Sequence, residues 1–350
     1  MTHTITKSEN WMTLRYIIYD PQQRDMDDMF MPPADLLQDD SIWHIVQTRF
    51  REIGFELATP ASYKGDLKDV SFVIFQNMPI EFKPLSFDRR IKRRFKAFFR
   101  QPSFYQQCRR AGLSAKMAVI LYEPEVVLPY NYNEKLQNLF AAVFTWNKNL
   151  IGIGAPYKEF VFPQPVWSNS PSPTMAFNER KLLCNFSANK KSSHPYELYS
   201  ARIEAIKFFE NACLENFDHY GRGWSDQYKS WKGPVANKEL IMSKYKFNLC
   251  YENARGFPGY ITEKIFDAFR AGCVPIYWGA PNVNEIVPPE CFIDRTKFSS
   301  YSAMLAFIEN MDEAEWRTYV LHGQAFLRSS GYSKFLPNSV FNLLKRGLRL

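Results

Sequence analysis

Hydrophobic positions along the chain switch between short continuous runs and helical stripes. LRYIIYD (14–20), FELATP (55–60), VSFVIFQN (70–77), MAVILYE (117–123) and FAAVFTWN (140–147) are compact apolar runs. KLLCNFSANK (181–190) begins in the same way, and YKFNLCYEN (245–253), AGCVPIYWG (271–279) and CFID (291–294) follow. Runs without a polar alternation read as strands covered on both faces. Between them lie stripes of helical spacing. One follows the cluster Asp39-Asp40-Ser41 and ends at Gly54, and a second places Ile91, Phe95, Phe98 and Phe99 among seven basic residues. A third covers 197–210, and a fourth sets Ile261, Ile265, Ala268, Phe269 and Gly272 on one face with Glu263, Asp267 and Arg270 on another. Two or three helices are predicted at the C-terminus. Strand and helix in alternation predict doubly wound parallel sheets. The Pro- and Ser-rich stretch FVFPQPVWSNSPSP (160–173) reads as a linker, and a second alternating unit begins after it.

Composition agrees with two folded units. With 350 residues, 46% of them hydrophobic, the chain has room for two domains of ordinary size and is too apolar to be disordered. The 30 Phe, 19 Tyr and 8 Trp suit stacking surfaces for sugars or bases, and serve equally well to fill cores. A net charge of +8 fits an acidic substrate, an anionic membrane surface or nucleic acid without choosing among them. The basic stretch 89–110 carries an apolar stripe, which favours a core-packed helix with a solvated basic face over nucleic-acid binding. Six scattered cysteines with no CxxC pair read as buried free thiols of a reducing compartment, and five histidines with no ligand spacing give no reason to expect zinc. The opening MTHTITKSENWM lacks the charge and apolar pattern of a signal peptide, and no run of about 18 apolar residues occurs. A soluble, cytoplasmic protein is expected. The basic, apolar C-terminus FNLLKRGLRL (341–350) would either rest on an anionic membrane or pack back on the first domain.

The chemistry concentrates in 245–279, which reads as strand, Gly/Pro loop, helix and strand. A strand feeding a helix N-terminus builds an anion site at the carboxyl edge of a parallel sheet. Thr262 is a good N-cap, Gly272 stands where a C′ glycine would, and Glu263 suits the first-turn dipole. Those features alone describe an ordinary helix start. Lys264 does not fit that description, since a first-turn cation opposes the dipole unless an anion lies there, and a diphosphate would be one. In SANK followed by ELYSARIEAIKFFE, Arg202 again places a cation after a strand and loop, with surface pairing to Glu197 or Glu204 as the alternative. Glu123, at the end of an uncharged strand and before Pro124, is a candidate general base beside the plainer reading of a loop carboxylate, and Glu125 could take the same role. YGRGW (220–224) is a glycine turn with one cation. Asp25-Met26-Asp27 matches a metal-binding DxD in letters but does not follow a buried strand directly.

YKFNLCYEN, ARGFPG, YITEK and AGCVPIYWG, in that order, resemble the signature of the α1,3/4-fucosyltransferases, glycosyltransferase family 10. Weaker likeness extends upstream to LYEPE, VFTWN, SANK and the Arg202 helix, so about two thirds of the chain is covered. Tyr251 stands where the family usually has Phe, and the ARGFPG loop brings its own Arg255 and Pro258. The resemblance implies an α/β fold of GT-B type, with two Rossmann-like domains facing each other across a cleft. It implies an acceptor-side domain over 1–165, a GDP-sugar donor domain over 175–330, and a C-terminal helix over 331–350. By this likeness Glu263 contacts the fucose, Lys264 and Arg202 contact the diphosphate, Asn253 and Tyr260 touch the donor, and Glu123 or Glu125 is the base. The implied reaction moves L-fucose with inversion from GDP-fucose to an oligosaccharide or glycolipid acceptor, with no obligatory metal or other cofactor. The alternatives are a GT-B transferase using another nucleotide sugar, and a basic protein that binds nucleic acid or membrane.

Overall fold

The computed structural model describes residues 15–21, 30, 41–84, 101–166 and 175–350. The basic stripe at 89–100, the Asp25-Met26-Asp27 triplet and the centre of the Pro/Ser stretch (167–173) lie outside these residues.

The first sheet has six parallel strands in the order β2-β1-β3-β4-β5-β6. They are β1 (Arg15–Asp20), β2 (Phe55–Ala58), β3 (Phe72–Gln76), β4 (Met117–Leu121), β5 (Ala142–Thr145) and β6 (Tyr157–Glu159). The second sheet is parallel as well, with the order β11-β10-β9-β7-β8. It comprises β7 (Lys181–Phe186), β8 (Phe217–Tyr220), β9 (Tyr245–Tyr251), β10 (Val274–Trp278) and β11 (Ile293–Asp294). Both sheets therefore start next to their own middle and wind outward in both directions. Each has one gap at which strand order reverses, between β1 and β3 and between β7 and β9. In open α/β sheets ligands lodge outside the carboxyl ends of the strands at such a reversal. The two parallel sheets confirm the doubly wound expectation.

Strands β4 and β5 are buried at every residue, which is why they carry no polar alternation. β6 and β8 had no clear signature in the sequence. β6 has three residues at the sheet edge, and the polar Asp218 and His219 interrupt β8, although both are buried. The strand before Glu123 ends at Leu121, two residues earlier than its apolar run suggested.

The helices used below are α1 (Ser41–Glu52), α2 (Phe104–Arg110), α3 (Tyr199–Cys213), α4 (Glu263–Arg270), α5 (Tyr301–Asn310), α6 (Glu313–Leu327) and α7 (Pro337–Leu348). Gly54 at φ 82 ends α1, and Gly272 at φ 61 follows α4 as the C′ glycine expected there. Most of the polar face of α4 is not solvated. Asp267 and Arg270 are buried together, and Arg270 Nε also donates to Glu239 at 2.5 Å.

The Pro/Ser stretch begins as packed chain rather than as a loose linker. Phe160, Phe162 and Gln164 are buried, and the Gln164 N–H donates to the Phe335 carbonyl at 2.8 Å. The C-terminus returns to the first sheet. Val340, Phe341, Leu344 and Leu348 of α7 join the core formed by Phe50, Ile120 and Phe144, with the Phe50 and Phe341 rings 4.9 Å apart. A Cβ on Gly347 would lie 2.3 Å from the Phe144 ring, so α7 sits as close as its backbone allows. Its apolar face is used up in this contact. Among the described residues no helix is long and apolar enough to cross a membrane. Five of the six cysteines are buried, and all six are free thiols.

Candidate active site

Arg202 and the Thr262-Glu263-Lys264 turn flank the reversal between β7 and β9. α3 follows β7 and carries Arg202 in its first turn, while α4 follows β9 and begins at Glu263. Arg202 is 4% exposed. It does not pair with a surface glutamate. Its Nη2 donates to the Tyr251 carbonyl at 2.8 Å and to Asn253 Oδ1 at 3.0 Å, and its Nε has no partner among the described residues. Both acceptors are neutral oxygens. Burial works against the charge of the guanidinium, with only partial relief from the Tyr199 and Glu252 fields. A buried cation with an unused donor, at the carboxyl edge of a sheet, is short of an anion.

Lys264 differs. The anion that its first-turn position requires is supplied by the protein itself. Glu252, immediately after β9 and fully buried, accepts from the Thr262 N–H at 2.8 Å, Thr262 Oγ1 at 2.8 Å and Lys264 Nζ at 3.1 Å. Burial opposes the lysine charge, but Glu252 and Glu263 together hold its pKa above the ordinary lysine value. Contrary to the expectation from its first-turn position, Lys264 needs no diphosphate to balance its charge, because Glu252 already does so. The clue in the sequence was an acid directly behind the apolar end of β9, Leu249-Cys250-Tyr251, and the motifs alone assign it no role.

Glu263 lies 3.6 Å from Lys264 Nζ with its side chain 37% exposed, so it opens toward the cleft. Burial would raise its pKa, but Lys264, Lys238 and the helix start bring it down to about 2, and the carboxylate is ionised near neutrality. Thr262 caps the helix, accepting from the Lys264 N–H at 3.5 Å. Asn253 is half-buried beside Arg202, and its carbonyl accepts from the Leu198 N–H at 3.1 Å, which ties the two loops together.

Tyr260 is 1% exposed in an aromatic cluster between the two halves. Its ring lies 4.7 Å from Trp146 and 5.6 Å from Phe162. Gly259, at φ +90, lets the loop approach closely, since a Cβ there would stand 2.3 Å from the Trp146 carbonyl oxygen. Trp146 in turn donates its indole N–H to the Tyr122 carbonyl at 2.9 Å, next to Glu123. The loop before α4 is thereby fastened to the turn that carries the candidate base.

Glu123 is half-buried. Burial raises its pKa and Glu263 adds to the rise, while Lys190 of the loop after β7 and Lys264 pull it down. Those influences come from the second half of the chain, so Glu123 lies within electrostatic reach of the turn that begins α4. Glu125 lies farther out, 42% exposed, with Oε2 3.8 Å from His194 Nε2. In YGRGW, Gly221 allows two backbones to cross, since a Cβ there would meet the Ser187 carbonyl oxygen at 2.0 Å. Among the described residues no group of three or more His, Cys, Asp or Glu could hold a metal ion.

Residues 178–324 match the family model described as glycosyltransferase family 10 (fucosyltransferase) C-term. The second half of the chain carries a family 10 glycosyltransferase domain. Over 75 residues it is 43% identical to an α-(1,3)-fucosyltransferase of Helicobacter pylori, and over 72 residues 44% identical to an α-(1,4)-fucosyltransferase of Arabidopsis thaliana. Those alignments span 21% of this chain, and 16% and 18% of the two relatives' lengths. The fold extends further than the sequence likeness. A crystal structure of an α1,3-fucosyltransferase with GDP superimposes over 100% of this chain and 94% of its own, with TM-score 0.53 at 14% identity. A DNA-modifying β-glucosyltransferase superimposes over 96% of this chain and 100% of its own, with TM-score 0.55 at 11% identity. The family 10 domain thus forms one half of a GT-B fold.

Proposed function

We propose that this chain transfers L-fucose from GDP-β-L-fucose to a hydroxyl of an N-acetylglucosamine or glucose unit in a glycan, forming an α1,3 or α1,4 linkage with inversion. The observation that carries this reading is the buried Arg202 guanidinium, held by neutral oxygens with its Nε unused, at the strand-order reversal of a family 10 domain. A diphosphate supplies the charge that this group lacks. The α4 N-terminus adds positive potential as the leaving group gains charge, and Lys264, its charge balanced by Glu252, keeps an Nζ donor for the diphosphate beyond those given to Glu252 and Thr262, a stabilisation of a few kcal/mol per donor, about 3 in comparable sites. Glu263, ionised beside the cleft, holds the sugar and offsets positive charge growing at the anomeric carbon. Glu123 accepts the proton of the attacking hydroxyl, and its upward-shifted pKa suits a base better than an ordinary carboxylate does. One base on the acceptor side, and no carboxylate assigned as nucleophile, gives a single displacement that turns a β-linked donor into an α-fucoside. Arg202 and Lys264 take the part that a metal plays elsewhere, and transfer is expected to withstand chelation.

The decisive experiment offers GDP-fucose and a panel of other nucleotide sugars with type 1 and type 2 N-acetyllactosamine acceptors, followed by linkage analysis. Fucosyl transfer in an α linkage supports the reading. Turnover of a different sugar nucleotide with GDP-fucose left intact would overturn it.

A further inference from the structure

Glu123 sits in a loop, yet its peptide is held on both sides by side-chain amides. Asn77, the residue after β3, donates its own N–H to the Ile120 carbonyl at 2.7 Å. Its Oδ1 then accepts from the Tyr122 N–H at 3.0 Å and the Glu123 N–H at 2.8 Å. The carbonyl of Glu123 accepts from Asn131 Nδ2 at 3.2 Å, and the same Nδ2 donates to Asn77 Oδ1 at 2.8 Å. Asn131 is fully buried and is anchored in turn, its Oδ1 accepting from the Met78 N–H at 2.9 Å and its carbonyl from Gln137 Nε2 at 2.8 Å.

The backbone of Asn77 gives an independent observation. At φ 67 it is one of two non-glycine residues in the left-handed region among those described, and the other, Arg349, closes a helix. Asn77 closes no helix. A strand continuing regularly would keep β-region backbone here and point the side chain away from the β4 turn. Asparagine tolerates the left-handed region because its short amide can bond locally. Here its amide oxygen accepts from the Tyr122 and Glu123 N–H groups of the turn and from the Asn131 amide that also holds the Glu123 carbonyl. Unusual backbone held by its surroundings gathers at functional sites.

We propose that Asn77 is a positioning residue for the Glu123 base, with Asn131 as its support. This rests on the transfer reading above. The amide oxygen of Asn77 replaces the next carbonyl of a β-ladder. It ends β4 at Leu121, turns the chain at Tyr122 and presents Glu123 to the cleft, within electrostatic reach of Lys190, the Glu263-Lys264 turn, Tyr132, Tyr199 and Tyr260.

The test uses N77G and N77D in the full chain. Glycine adopts positive φ freely and removes only the amide, so N77G separates the hydrogen bonds from the backbone conformation. Its kcat for fucosyl transfer is expected to fall about 10- to 100-fold, the scale of a small misplacement of a reacting group, with KM for GDP-fucose unchanged. Aspartate keeps the acceptor oxygen, so N77D recovers most of kcat. Its acid limb moves to higher pH, because a second carboxylate disfavours ionisation of Glu123. A purely structural role predicts instead a lower melting temperature for N77G, with parent kcat per folded molecule and an unmoved pH profile, and that result would overturn the proposal. If the parent protein transfers no fucose to any acceptor, the transfer reading falls first and the positioning role falls with it. Parent activity with N77G equally active overturns the positioning role alone.

Discussion

Replacing Glu252 with Gln tests how the start of α4 is held together. The substitution keeps shape and one amide oxygen for the Thr262 N–H, and removes the charge opposite Lys264. At the observed 3.1 Å, Coulomb attraction with an effective dielectric of about 20 amounts to roughly 5 kcal/mol. The carboxylate is fully buried and the lysine side chain 19% exposed, so solvent screens this pair little. Removing one partner of such a pair costs about 3–5 kcal/mol, because the other charge remains buried. The Gln amide also turns a donor toward Thr262 Oγ1 or Lys264 Nζ, so the loss belongs at the upper part of that range. Glu263→Gln is the internal control. Glu263 lies farther from the same lysine, at 3.6 Å, with its side chain 37% exposed, and an exposed pair contributes about 0–1 kcal/mol. Urea unfolding followed by tryptophan fluorescence should therefore show a large loss for E252Q and little for E263Q, while E263Q impairs transfer. Equal stability losses in the two variants, or a loss below about 1 kcal/mol for E252Q, would refute the assignment of Glu252 as the counter-charge of Lys264.

Further expectations concern the two sides of the cleft. Arg202→Ala should weaken GDP binding in calorimetry by about 1.5–3 kcal/mol, the scale of a hydrogen bond to a charged group, or roughly 10- to 150-fold in Kd. Glu123→Gln should lower kcat about 100- to 10,000-fold, and Glu125→Gln should leave it near the parent value. The acid limb of the kcat profile should lie above about 4.3, the ordinary glutamate value, and Lys190→Gln should move it higher still by removing a cation that favours the ionised form. Glu263 has its pKa brought down to about 2, so its favourable contribution to stability, held to about 0–1 kcal/mol by the exposure of its side chain, is complete above the unfolded value near 4.3 and disappears as pH falls through about 2, which its carboxyl NMR titration would report. Gly259→Ala, at positive φ and against the Trp146 carbonyl oxygen, should cost about 1–3 kcal/mol by thermal unfolding and reduce transfer by pushing the loop off Trp146.

The alternation of strand and helix, the run of apolar strands and the start of α4 at Thr262 were legible in the sequence. Each of these is a local matter, in which period, cap and C′ glycine lie within a few turns of the residue they specify. Arg202 and Glu263 were recognisable for the same reason, since a cation or an acid in the first turn after a strand stands at the sheet's carboxyl edge whatever surrounds it. Tertiary structure alone decided what those charges meet. Glu252 was visible as a letter, but its pairing with Lys264 depends on the loop of 252–262 folding back on itself. The unused Nε of Arg202 depends on Tyr251 and Asn253, roughly fifty residues away, taking only one of its nitrogens. The short β6 and the polar β8 escaped notice because pairing and burial by neighbouring strands, not their own pattern, make them strands. The hold of Asn77 and Asn131 on Glu123 spans more than fifty residues of chain and follows no period at all. A periodic pattern records which face of an element is buried, but it carries no information about which distant polar group will stand opposite.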